Sequence, residues 1–153
     1  MTRFPPRMYE KAIALDNSIA MWRLAMLLQK GDVDLKLDPI KAFSLLERAS
    51  KRGNAAACYA LAMCHKRGGD AYGCDRDVKK AFATFERAAK VMHHTAAFFE
   101  LGLAHSRGDG CEKDDKKAVE YWCVATVILN NFRKCYCHCH GQICVCSLPI
   151  SNV

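Results

Sequence analysis

Apolar positions along this chain fall at helical spacing, and the spacing itself recurs. After Asn17, the residues Ala20, Leu24, Leu27 and Leu28 return every three or four positions and define one apolar helix face. Gly31 stops that stripe, since glycine takes the left-handed conformation after a helix at little cost. A mostly polar loop follows, and Ala42, Leu45, Leu46 and Ala49 then give a second stripe that ends at Gly53. Asn17 and Asp38 precede the two stripes as N-cap residues, whose side chains accept from otherwise unpaired first-turn amides. Pro39 stands at the first helical position, where a missing N–H costs nothing. Residues 17–53 therefore predict a helical hairpin.

The hairpin is written three times. Leu24-Ala25-Met26-Leu27-Leu28-Gln29-Lys30-Gly31 returns as Leu61-Ala62-Met63-Cys64-His65-Lys66-Arg67-Gly68, and again as Leu101-Gly102-Leu103-Ala104-His105-Ser106-Arg107-Gly108. An Asp and a Lys-Ala pair follow each copy: Asp38 with Lys41-Ala42, Asp77 with Lys80-Ala81, Asp114 with Lys117-Ala118. A period near 40 residues marks stacked copies of one supersecondary unit. The copies span 17–53, 54–92 and 94–126, and Tyr9-Glu10-Lys11-Ala12 begins a half copy over 9–16. Small residues recur in three slots: Ala20, Ala57 and Ala97; Ala25, Ala62 and Gly102; Ala49, Ala88 and Ala125. Helices that cross at such positions can approach closely. The expected fold is all-α: a solenoid of stacked helical hairpins. Residues 1–8 form an extension, 9–131 the array, and 132–153 a Cys/His-rich tail expected to be disordered. A repeat array whose ends carry no polar capping unit leaves end faces open to end-to-end self-association.

These residues resemble the Sel-one-like repeat family, a tetratricopeptide-like class. The loop of the third copy, Gly108-Asp109-Gly110-Cys111-Glu112-Lys113-Asp114 through Ala118, matches the family pattern best. The second copy carries a three-residue insertion around Asp70-Ala71-Tyr72, and the first places Asp34 where a second glycine belongs. The resemblance implies a right-handed alpha-alpha superhelix that acts as an adaptor: a surface on its inner, concave side, a protein or peptide partner, and no catalysis. In that frame Trp22, Tyr59 and Phe99 share one slot, and Met26, Met63 and Leu103 lie one turn later. Arg23 and Glu100 are their more exposed neighbours and the candidates for specificity. Packing between repeats is the plainer role for the aromatic slot. Cysteine-rich relatives staple each hairpin boundary with a disulfide, but Ser50, Ala89 and Ala97 stand in the required slots here, so only Cys58 remains.

Composition adds bounds. The chain has 153 residues, 51% of them hydrophobic, enough for one continuous core. Its net charge of +7 is spread over every copy rather than gathered in a stripe, so nucleic acid is not expected as a partner. No apolar run reaches the ~20 residues of a membrane span, and no signal peptide stands at the start, which points to the cytoplasm. His65 and His105 hold equivalent positions and read as partly buried, hydrogen-bonded residues. With Glu100 they are also the thin basis for a repeat-fold hydrolase. Five of the ten cysteines crowd the tail. Cys135, Cys137, His138, Cys139, His140, Cys144 and Cys146 could hold zinc or copper(I), although alternating C-x-C is not the usual knuckle spacing. No cofactor is otherwise called for.

Overall fold

Asn17, Asn54 and His94 take one backbone conformation, with φ/ψ of −74/110, −76/109 and −77/109°, and each opens the first helix of a hairpin. The residues before them, Asp16, Gly53 and His93, all have positive φ. A turn repeated this closely in three different sequences reflects the same packing around each. The computed structural model describes residues 6–31 and 36–130, together with the backbone of 135–136 and 143–144.

Among the described residues seven α-helices follow in order: α1 (Pro6–Ala14), α2 (Ser18–Lys30), α3 (Pro39–Lys51), α4 (Ala55–Arg67), α5 (Val78–Lys90), α6 (Thr95–Arg107) and α7 (Asp115–Asn130). A two-residue antiparallel ladder pairs Cys135–Tyr136 with Ile143–Cys144 beyond them. Helices α2 and α3, α4 and α5, and α6 and α7 form the three hairpins, and α3 meets α4 as α5 meets α6. Each helix thus packs on its sequence neighbours, the signature of a one-dimensional stack.

The caps behave as the sequence predicts. The carboxylates of Asp38, Asp77 and Asp114 accept from the backbone N–H groups of Lys41, Lys80 and Lys117 at 2.9, 2.9 and 3.1 Å. The backbone N–H groups of the same three aspartates reach back to the carbonyls of Leu28, His65 and His105. Each loop is therefore pinned to the last turn of the helix it leaves. The second loop glycine has a physical reason: a Cβ on Gly73 would lie 2.6 Å from the Pro39 carbonyl oxygen, and one on Gly110 would lie 2.4 Å from that of Val78. Each loop docks against the helix start of the preceding copy, so only glycine fits. Asp34, the first copy's departure at that slot, lies outside the described residues.

Two large buried clusters make most of the core, and a small one forms around Cys123 on α7. The first gathers Met21, Leu24, Leu28, Leu45 and Leu46 with Ala57, Leu61 and Cys64; the second gathers Cys58, Ala62, Phe85, Phe98 and Leu101. Helix α4 belongs to both, with Ala57, Leu61 and Cys64 turned to one and Cys58 and Ala62 to the other. All nine small-slot residues are buried. At the first hairpin boundary, where disulfide-stapled relatives pair two cysteines, Arg87 Nη2 donates to Ser50 Oγ at 2.6 Å and Nε to Cys58 Sγ at 3.4 Å. One guanidinium joins the two slots non-covalently.

Candidate partner-binding groove

Helices α2 and α4 carry Trp22, Met26, Tyr59 and Met63 at i, i+4 spacing, which stacks each pair on one helix face. These four side chains line a groove of about 370 Å³. Trp22, Tyr59 and Met63 pack against the buried clusters, as a role between repeats requires, and all four side chains stay half-buried. The aromatic slot is therefore core at its base and open at its edge.

The rest of the wall does not follow from the repeat pattern. Arg67, at the end of α4, donates from Nη1 to Tyr72 Oη at 2.8 Å, and its guanidinium lies 5.8 Å from that ring's centroid. Tyr72 comes from the three-residue insertion, which forms a short 3-10 turn, Asp70–Tyr72. The insertion itself was the signal: it lengthens one loop of three and brings an aromatic to the groove. His94 closes the far end. It stacks on Tyr59 with centroids 4.8 Å apart and planes 16° from parallel. Its Nδ1 is buried and has no hydrogen-bond partner among the described residues. Burial lowers the His94 pKa. At the cap slots, Asn17 accepts from Ile19 and Ala20 and Asn54 from Ala57, whereas the His94 side chain makes no cap hydrogen bond.

The third copy does not extend the groove as its pattern suggests. Phe99 is 52% exposed and lies against Trp122, at 6.3 Å between centroids, away from the groove. Leu103 is half-buried and also lies outside the lining. Glu100 is not the exposed neighbour the sequence suggested. Its carboxylate accepts from Lys66 Nζ at 2.6 Å, and only 14% of its side chain is accessible. Arg23 is exposed as expected and stacks on Trp22 at 4.8 Å.

The two histidines have different settings. His65 is half-buried and meets the edge of Phe43; burial leads the causes that lower its pKa. His105 is fully buried, stacked on Tyr121 and met edge-on by Phe82. Its Nδ1 lies 3.5 Å from Cys111 Sγ and 3.3 Å from the Glu112 carbonyl oxygen. A thiol beside an imidazole is the geometry of a cysteine nucleophile. Here burial, then the carboxylates of Asp109 and Glu86, push the Cys111 thiol up, opposite to activation. Burial likewise holds Cys64 as a thiol, its pKa pushed up to about 11.

No three His, Cys, Asp or Glu side chains gather to hold a metal among the described residues. Of the tail's seven candidate ligands, Cys137, His138, Cys139, His140 and Cys146 lie outside the described residues, and Cys135 and Cys144 are described by backbone alone. No described helix is long and apolar enough to cross a membrane.

Stacked hairpins with a half-open apolar groove define a helical-repeat scaffold. The family model for the Sel1 repeat matches residues 18–54, 55–90 and 96–125. The chain belongs to the Sel1 repeat family. Solved structures agree on the fold, the right-handed superhelix expected from the sequence. The chain matches a Sel1 repeat protein from Oxalobacter formigenes with a TM-score of 0.72 and 23% identity, covering 79% of this chain and 47% of that one. It matches a protective antigen of uropathogenic Escherichia coli with an SLR fold (TM-score 0.75, 20% identity, 81% and 26% coverage). It also matches the cysteine rich protein B of Helicobacter pylori (TM-score 0.59, 21% identity, 80% and 90% coverage). Among curated proteins, the Activator of C kinase protein 1 of Saccharomyces cerevisiae is 25% identical over 126 residues, 78% of this chain and 19% of the yeast protein. The chain thus spans about a fifth of that relative's length.

Proposed function

We propose that this chain is a non-catalytic adaptor that binds a protein partner through the concave face of its repeat array, in the cytoplasm. The observation that carries the reading is the groove itself. Trp22, Met26, Tyr59 and Met63 come from two copies of the repeat and keep an apolar wall half open. Methionine and aromatic side chains adapt to varied apolar surfaces. The yeast relative is named for activating another protein, which agrees with a scaffold's role. The raised Cys111 thiol and the enclosed His105 argue against a nucleophilic site.

The test is a pull-down from lysate with the wild type and the Met26→Asp/Met63→Asp double variant, both checked for helical circular dichroism. Prey lost in the variant supports the reading. Identical prey from two folded proteins overturns it.

A further inference from the structure

Arg67 is the formal charge among the groove's described lining residues, and the nearby Glu100 carboxylate, which acts on Tyr59 and Arg67, is itself paired. None of its lining residues is Asp or Glu, whereas Arg67 is among them. Arg23 stands at the rim over Trp22. Neither arginine is ion-paired among the described residues. Glu100, the one carboxylate that α6 carries, is held by Lys66. Tyr72 holds the Arg67 guanidinium in place through one nitrogen and its ring, which leaves other N–H donors of the fork available. The whole chain is positive as well, at +7.

The cap slot at His94 points the same way. Asparagine there could accept from a first-turn amide, as Asn17 and Asn54 do; at His94 the Ala97 amide turns to the His94 backbone carbonyl instead. His94 makes no such bond and lies flat on Tyr59, lengthening the wall. A position that departs from its own repeat's local rule, at the edge of the groove, is where function is expected to outweigh stability.

From these placements we propose that the groove takes an acidic peptide segment of the partner. An apolar side chain of that segment seats among Trp22, Met26, Tyr59 and Met63, and an Asp or Glu close to it in sequence pairs with Arg67. This rests on the adaptor reading above and names the chemistry of its partner. A carboxylate suits a preset guanidinium because two parallel N–H donors meet its two oxygens. A nucleic acid strand fits less well, since a phosphate backbone is held by a run of cations and this groove offers two arginines beside an apolar pocket.

The experiment is a randomised-peptide display selection on the immobilised full chain, followed by affinity measurement of the selected peptides. The expected result is enrichment of peptides with a Leu, Ile, Phe or Trp flanked by Asp or Glu. Their binding is lost in Met26→Asp/Met63→Asp and weakened at least about tenfold in Arg67→Glu. Arg67→Lys retains part of it, and peptides with the acidic residue changed to Lys prefer Arg67→Glu. Circular dichroism of each variant confirms its fold. Selected peptides that need the two methionines but are neutral or basic, and ignore Arg67→Glu, overturn the acidic-segment inference and leave the adaptor reading standing. Selected peptides that bind the double methionine variant as well as wild type overturn both. Absence of enrichment, or displacement of the peptides by a single-stranded oligonucleotide at comparable concentration, overturns the inference.

Discussion

Gly102 and Trp122 are matched in volume. Trp122 holds the slot that Leu46 and Phe85 hold in earlier copies, and Gly102 holds the slot of Ala25 and Ala62. A Cβ on Gly102 would lie 2.2 Å from Trp122 Nε1, the nitrogen that donates to the Phe99 carbonyl. The larger ring is accommodated only because the facing residue has no side chain. Gly102→Ala is expected to cost about 1–3 kcal/mol by overpacking, read as a lower denaturation midpoint. Adding Trp122→Phe is expected to recover most of that loss, and a double variant no better than the single would refute the pairing. His94 gives the opposite expectation. His94→Asn restores the missing cap and should add about 0.5–1 kcal/mol to stability, while weakening any ligand that uses the wall it builds. A drop in the urea midpoint would contradict this account.

Within the elements, capping and burial fix how stability follows pH. Asp77 and Asp114 accept from the Lys80 and Lys117 backbone amides, and those bonds hold both carboxyls below their ordinary value of 3.8. A carboxyl lowered on folding contributes stability that is present above its unfolded value and lost as pH falls through the folded one. His65 and His94 are lowered from 6.5, chiefly by burial. For a base lowered on folding, the unfolded chain takes the proton first. Stability is therefore full above pH 6.5, begins to fall as pH drops through it, and levels off once the folded group has also been protonated. Urea unfolding at pH 7.5, 5.5 and 3 should show a first loss between the upper two values and a second below about pH 4. The first loss should shrink in His94→Asn. Equal midpoints at pH 7.5 and 5.5 would contradict the burial of these imidazoles.

Across the whole molecule, stability is shared between neighbours and not pooled. Helix α4 serves both large buried clusters, whereas none of the described side chains of α1 is fully buried. Stacked repeats open from where fewest interfaces hold them. Amide hydrogen exchange should be slowest in α4, with its partners α3 and α5 next, and fastest in α1. The ion pair of Asp16 with Arg52 ties the end of α1 to the end of α3, but it is exposed and screened by salt. Uniform protection from α1 to α5 would mean the array unfolds as a single unit.

Most of the fold was legible because its rules are local. Helical periodicity, the aspartate caps, Pro39 and the recurring glycines act within a few residues of themselves, and repetition confirms each reading from the next copy. The small slots were legible for the same reason, since identical crossings demand identical residues. The groove was half legible. Trp22, Met26, Tyr59 and Met63 follow from helix spacing within the copies, and they are the part the sequence could name. What closes the groove depends on groups distant in sequence. Glu100 is drawn to Lys66 across 34 residues, Arg67 is held by a tyrosine from an insertion, and His94 leaves its cap to lie on a ring from the preceding copy. Periodicity tells which face of a helix a side chain occupies. Only the packing of one copy on the next decides which partner that side chain meets, and with it which charges remain unpaired.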